Sequence, residues 1–104
     1  MQRIKVAKSS EIVSGSAKQV KVGEELVAVW KTENGEVFAT GDICSHEYCN
    51  LSDGGKIEGG VIECPCHGAR YDVKTGAVVL PPAVEPIKTY KASIEGEDVV
   101  LEHE

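Results

Sequence analysis

The stretch Glu25-Leu26-Val27-Ala28-Val29-Trp30-Lys31-Thr32-Glu33-Asn34-Gly35-Glu36-Val37-Phe38-Ala39-Thr40 decides the fold. Two alternating apolar runs, Glu25–Lys31 and Glu36–Thr40, flank Glu33-Asn34-Gly35. Asn-Gly between such runs is the strongest short-range hairpin signal, since both residues tolerate positive φ. In the first run Leu26, Ala28 and Trp30 share one face, and Val27 and Val29 the other. Trp30 reads as a core or sheet-face residue, because its bulk outweighs its single polar atom.

Outward from this hairpin the same pattern continues. Arg3–Ala7 and Lys18–Val22 read as strands, the latter joined to Glu25–Lys31 around Gly23. Ser9-Ser10-Glu11-Ile12 is expected to open one helical turn with a Ser cap. Short strands are expected at Lys56–Glu58, Val61–Glu63 and Ala69–Val73. Ile87–Ala92 and Asp98–Glu102 follow, turning through Glu95-Gly96-Glu97-Asp98. Helix should be minimal. The fold class is therefore all-β and antiparallel, and 104 residues suit a single domain.

From Gly41 to Gly76 the composition changes. This segment holds all four Cys, two of the three His and seven Gly. Such glycine content implies tight backbone turns, as in a loop wrapped round a ligand.

Composition excludes several functions. A net charge of −6 argues against nucleic acid, whose phosphates require clustered Lys and Arg. The same charge is accounted for by solubility. No apolar run approaches the roughly twenty residues of a membrane span, and the charged, alternating start Met1-Gln2-Arg3-Ile4-Lys5-Val6 is unlike a signal peptide. The expectation is a soluble, cytoplasmic protein without a membrane partner. Four Cys in a secreted chain would suggest two disulfides, but here the Cys lie within three residues of a His, which favours metal for two of them.

Cys44-Ser45-His46 and Cys64-Pro65-Cys66-His67 each place a thiolate beside an imidazole, and 17 residues separate His46 from Cys64. A tetrahedral zinc site accepts this ligand set, which leaves a zinc-stabilised interaction module as an alternative. Zinc fingers, however, group Cys with Cys and His with His, whereas here the types alternate. The order C-x-H then C-x2-H resembles the Rieske family, in which both Cys bind one iron and both His the other. Leu51-Ser52-Asp53-Gly54 resembles the segment after the first loop in ferredoxins of ring-hydroxylating oxygenases. Gly68, Tyr71-Asp72-Val73 and Thr75-Gly76 are also similar to the family, and Pro81-Pro82-Ala83 with Pro86 and Tyr90 resembles its proline loop.

The resemblance implies one [2Fe–2S] cluster held by Cys44, His46, Cys64 and His67. It further implies an antiparallel β-sandwich or barrel with a cluster-binding subdomain inserted at about 41–82. Two ferric ions, two sulfides and two thiolates sum to a neutral unit, which accepts an electron more readily than a four-thiolate site. The potential of the class accordingly lies at roughly −150 to +300 mV. Cys49 and Cys66 resemble the disulfide pair of high-potential respiratory Rieske proteins, which implies a Cys49–Cys66 bridge across the two loops. Tyr71 matches a Tyr that bonds a ligand Cys, while Ala69 stands where that branch has a Ser bonding a bridging sulfide. One donor present and one absent imply an intermediate potential.

The function implied is that of a soluble electron carrier, not an enzyme. It would take electrons from a flavin-dependent reductase and give them to an oxygenase or similar acceptor. A cluster-bearing small subunit of a nitrite-reductase-like enzyme is the alternative within the same family. A Rieske oxygenase subunit is excluded, since its second iron needs two further His and only His103 remains. His103 itself reads as a solvated tail residue.

Overall fold

The computed structural model describes residues 2–43, 50–65, 68–80 and 86–103. Among the described residues ten strands form two antiparallel sheets. The first sheet contains β1 (Gln2–Lys8), β2 (Ala17–Val22), β3 (Glu25–Lys31), β4 (Val37–Gly41), β9 (Thr89–Glu95) and β10 (Asp98–His103). Its spatial order is β1-β10-β9-β4-β3-β2, and edge strands β1 and β2 come back into contact, so it is a nearly closed barrel. The second sheet, in order β5 (Lys56–Glu58), β6 (Val61–Glu63), β7 (Arg70–Asp72) and β8 (Val78–Leu80), lies between β4 and β9 in the chain.

Strand β3 shows why the alternating run matters. Val27 and Val29 pack into the barrel with Val20, Val37, Val99 and Leu101. Ala28 and Trp30, on the opposite face, belong to a second core with Leu51, Ile57, Ile62 and Tyr71. The strand is therefore buried on both faces and divides the two cores. Removing so large a buried side chain as Trp30 is expected to cost about 3–5 kcal/mol. Its indole Nε1–H donates to Thr40 Oγ1 at 3.0 Å, and the Thr40 hydroxyl donates to the Gly41 carbonyl at 3.0 Å. The polar tip of the indole is thus satisfied inside the core.

Three local expectations need correction. The hairpin between β3 and β4 closes through Thr32 N–H to the Glu36 carbonyl (2.8 Å) and Gly35 N–H to the Thr32 carbonyl (3.0 Å). Gly35 alone takes positive φ (87°) there; no described non-glycine residue does. It is a three-residue loop with its left-handed residue last, so Asn34 need not be left-handed.

The helical turn is a 3-10 turn at Ser9–Glu11, but no Ser side chain caps it. Lys8 occupies the cap position, and its N–H donates instead to Glu11 Oε1 at 3.0 Å. Finally, β8 has no counterpart among the expected strands, and β9 begins at Thr89 instead of Ile87. Val78-Val79-Leu80 is apolar throughout and so lacks the alternation that marks Lys56–Glu58. Residues Ile87 and Lys88 are used otherwise: Ile87 N–H donates to Gly76 O (2.9 Å), and Lys88 O accepts from Gly41 N–H (2.8 Å). This segment ties the small sheet to the barrel. A Cβ at Gly76 would stand 2.0 Å from the Ile87 carbonyl oxygen, so the tie requires glycine there.

Candidate metal centre

The first candidate loop leaves the barrel where β4 ends. Ile43 and Asn50 form an antiparallel bridge, and Leu51 N–H donates to the Asp42 carbonyl at 2.6 Å. The segment 44–49 therefore departs and returns through paired feet. Cys44, His46 and Cys49 sit on it and lie outside the described residues.

Directly beneath those feet is Asp42, a fully buried carboxylate. Its Oδ1 accepts the Ser52 backbone N–H at 2.8 Å. Its Oδ2 accepts Gln19 Nε2 (2.6 Å), Asn50 Nδ2 (3.0 Å) and the Ser52 hydroxyl (3.0 Å). Sequence reasoning missed this group. The available signal was weak: Asp, Asn and Ser flanking a loop commonly bond nearby backbone, but nothing local points to Gln19 on β2.

The second loop springs from the end of β6. Cys64 N–H donates to the Ala69 carbonyl (2.7 Å), and Gly68 N–H donates back to the Cys64 carbonyl (3.1 Å), with Gly68 at φ 75°. Cys66 and His67 lie outside the described residues. Cys64 itself is 1% exposed and shares a core with Leu51, Ala69 and Tyr71, all fully buried. Tyr71 lies on β7 opposite Ile62. The turn after the first loop reaches the second at Gly54, where a Cβ (φ 97°) would stand 3.5 Å from Pro65 Cβ.

Among the described residues no three Cys, His, Asp or Glu side chains are placed together as a metal site. Of the four expected ligands, Cys64 is the described one. Its dry position at a tight turn, beside the feet of the other Cys/His loop, suits a thiolate ligand to an iron–sulfur cluster, whose potential depends on exclusion of solvent. The donor set and this setting fit the cluster.

Near the end of β4 a charged group joins the barrel strands. Lys88 Nζ bonds both Glu25 oxygens (3.2 and 3.1 Å) and lies 4.9 Å from the centroid of the Tyr90 ring, while the Tyr90 hydroxyl donates to Glu25 Oε2. The bond to Glu25 raises the Lys88 pKa above its usual 10.5. Burial, and then the bond to Glu25, raise that of Tyr90 above 10.0.

A small antiparallel barrel with a second sheet, in a chain that carries Cys44-Ser45-His46 and Cys64-Pro65-Cys66-His67, fits an iron–sulfur electron-transfer protein. The Rieske [2Fe-2S] domain matches residues 2–91, and the chain belongs to that family. It is 41% identical over 98 residues to the biphenyl dioxygenase ferredoxin subunit of Pseudomonas sp. (strain KKS102), covering 94% of this chain and 89% of that protein. Among solved structures it superposes on a Sphingomonas yanoikuyae B1 ferredoxin with a TM-score of 0.87 and 33% identity, over 99% of this chain and 100% of the other. It also matches a chain in the complex of reduced oxygenase and oxidised ferredoxin in carbazole 1,9a-dioxygenase (TM-score 0.82, 31% identity, 95% and 91% covered). The chain is thus a Rieske ferredoxin, an electron carrier rather than a catalytic enzyme, and its cofactor is a Rieske-type [2Fe–2S] cluster. The zinc alternative falls with that assignment.

Proposed function

We propose that this ferredoxin carries single electrons from a flavin-dependent reductase to the terminal oxygenase of an aromatic-ring dioxygenase system in the cytoplasm. The observation that carries this reading is the nearly end-to-end match to a ferredoxin subunit of a biphenyl dioxygenase. The carbazole dioxygenase complex, in which ferredoxin and oxygenase are held together, supports the choice of acceptor.

Cys44, His46, Cys64 and His67 hold the cluster in this reading. The bound cluster supplies a one-electron couple, roughly −150 to +300 mV for the class. The chain's own residues hold and shield it. Cys64 binds from a dry position, and its backbone N–H and C=O are occupied by Ala69 and Gly68, which fixes the turn. Cys49 and Cys66 form a disulfide in this reading, as their resemblance to the cysteine pair of high-potential Rieske proteins implies. Tyr71 is the donor that raises the potential.

Reconstituted turnover tests the reading. Purified holoprotein should restore substrate oxidation when mixed with a flavin reductase and an aromatic-ring oxygenase, and should show the electron paramagnetic resonance of a reduced Rieske cluster. Cys64→Ser should lose iron, sulfide and that resonance. A cluster-loaded protein that passes no electrons to any such oxygenase would overturn the assigned acceptor, and a Cys64→Ser variant with the wild-type spectrum would overturn the ligand set.

A further inference from the structure

We infer that Asp42 is the positioning residue of the first ligand loop: its buried carboxylate holds both feet of segment 44–49 and fastens them to β2. Asp42 precedes the loop, and Asn50 and Ser52 follow it. All three are joined by one carboxylate through contacts of 2.8 to 3.0 Å. The Leu51 N–H bond to the Asp42 carbonyl and the Ile43–Asn50 bridge close the same junction through the backbone. A turn residue satisfying only its own loop would need no more than these local bonds. Asp42 differs in also accepting from Gln19, 23 residues earlier in the chain, at 2.6 Å. The loop base is thereby anchored to barrel strand β2.

Side chains that orient a metal ligand act through geometry, and losing one commonly costs about 10- to 100-fold in metal retention. Asp42 lies two residues before Cys44, so loosening the feet lets Cys44 and His46 drift from their bonding positions. Asp42 has this part only if Cys44 and His46 are ligands, as proposed above. The isosteric Asp42→Asn separates geometry from charge. The new NH2 group has two hydrogens for the three groups that bond Oδ2: the Gln19 and Asn50 amides can reverse to accept them, while the Ser52 hydroxyl loses this bond. The Ser52 N–H keeps its carbonyl acceptor. Three of the four bonds survive while the carboxylate charge is removed.

The experiment follows cluster loss from the holoprotein under an iron chelator by visible absorption. Far-ultraviolet circular dichroism is recorded on the same samples, with electron paramagnetic resonance of the reduced protein beforehand. Asp42→Ala should lose its cluster about 10- to 100-fold faster than wild type. Its sheet signal should persist until the cluster is gone, and its resonance should be broadened. Asp42→Asn should lose its cluster clearly more slowly than Asp42→Ala and within about tenfold of wild type, since three of its four hydrogen bonds are retained. The inference is overturned if Asp42→Ala loses its cluster at the wild-type rate. It is equally overturned if Asp42→Asn fails as fast as Ala, or if the sheet signal melts ahead of the cluster. Should Asp42→Ala not yield folded protein, Asn50→Ala combined with Ser52→Ala carries the same expectations. A Cys44→Ser control keeps the two readings apart: a normal cluster in that variant refutes the ligand assignment whatever Asp42 does.

Discussion

Gly55 lies directly against the indole of Trp30: a Cβ at position 55 would stand 2.9 Å from Trp30 Cη2 and 2.0 Å from the Leu51 carbonyl oxygen. The Gly55 N–H donates to that same carbonyl at 3.0 Å. Trp30 thus reaches across from β3 and props the turn that follows the first ligand loop. Gly55→Ala forces backbone or a buried ring to move. It should destabilise the holoprotein by about 1–3 kcal/mol, toward the upper end because one clash is with backbone. The denaturant midpoint of the variant checks this, and an unchanged midpoint would show that the turn can shift freely.

Tyr71 is fully buried in the core that holds Cys64. If its hydroxyl is a donor favouring the reduced cluster, Tyr71→Phe lowers the midpoint potential. About 1 kcal/mol of differential bonding corresponds to roughly 40 mV for one electron. Protein-film voltammetry reads this directly. The donor role is lost if the potential is unchanged.

Thiol counting tests the proposed brace. Denatured, unreduced holoprotein should present two reactive thiols, Cys44 and Cys64, with Cys49 and Cys66 joined. Four reactive thiols would mean that no bridge exists.

Alkaline stability should depend on the group at Glu25. Both Lys88 and Tyr90 have pKa values raised in the folded state, Lys88 by its bond to Glu25 and Tyr90 by burial and then Glu25. In each case the unfolded chain loses its proton first as pH rises. Their contribution is therefore complete below about pH 10 and falls away as pH passes through the raised folded values. Tyr90→Phe should show a shallower decline between about pH 9 and pH 11 than wild type, by well under 1 kcal/mol at a half-buried site that solvent still screens. Parallel declines in denaturant midpoint would exclude Tyr90.

The sequence by itself determined the chemistry and the local shape. Alternating runs such as Glu25–Lys31 dictate strands because side chains on a strand alternate faces, and the order C-x-H, C-x2-H marks the ligand types before any folding is considered. The Asn34-Gly35 signal placed the hairpin correctly, although the turn uses left-handed backbone at Gly35 alone.

Only the tertiary structure decided what each strand face meets. Periodicity separates Ala28 and Trp30 from Val27 and Val29, yet it does not say that both faces are buried against different cores. That follows from the small sheet packing onto the barrel. The same holds for Asp42, an ordinary loop residue in the sequence, which becomes a junction because the β2–β3 pairing delivers Gln19 to it. Hydrogen bonds and burial between residues distant in the chain depend on which strands pair, and a local pattern carries no record of that pairing.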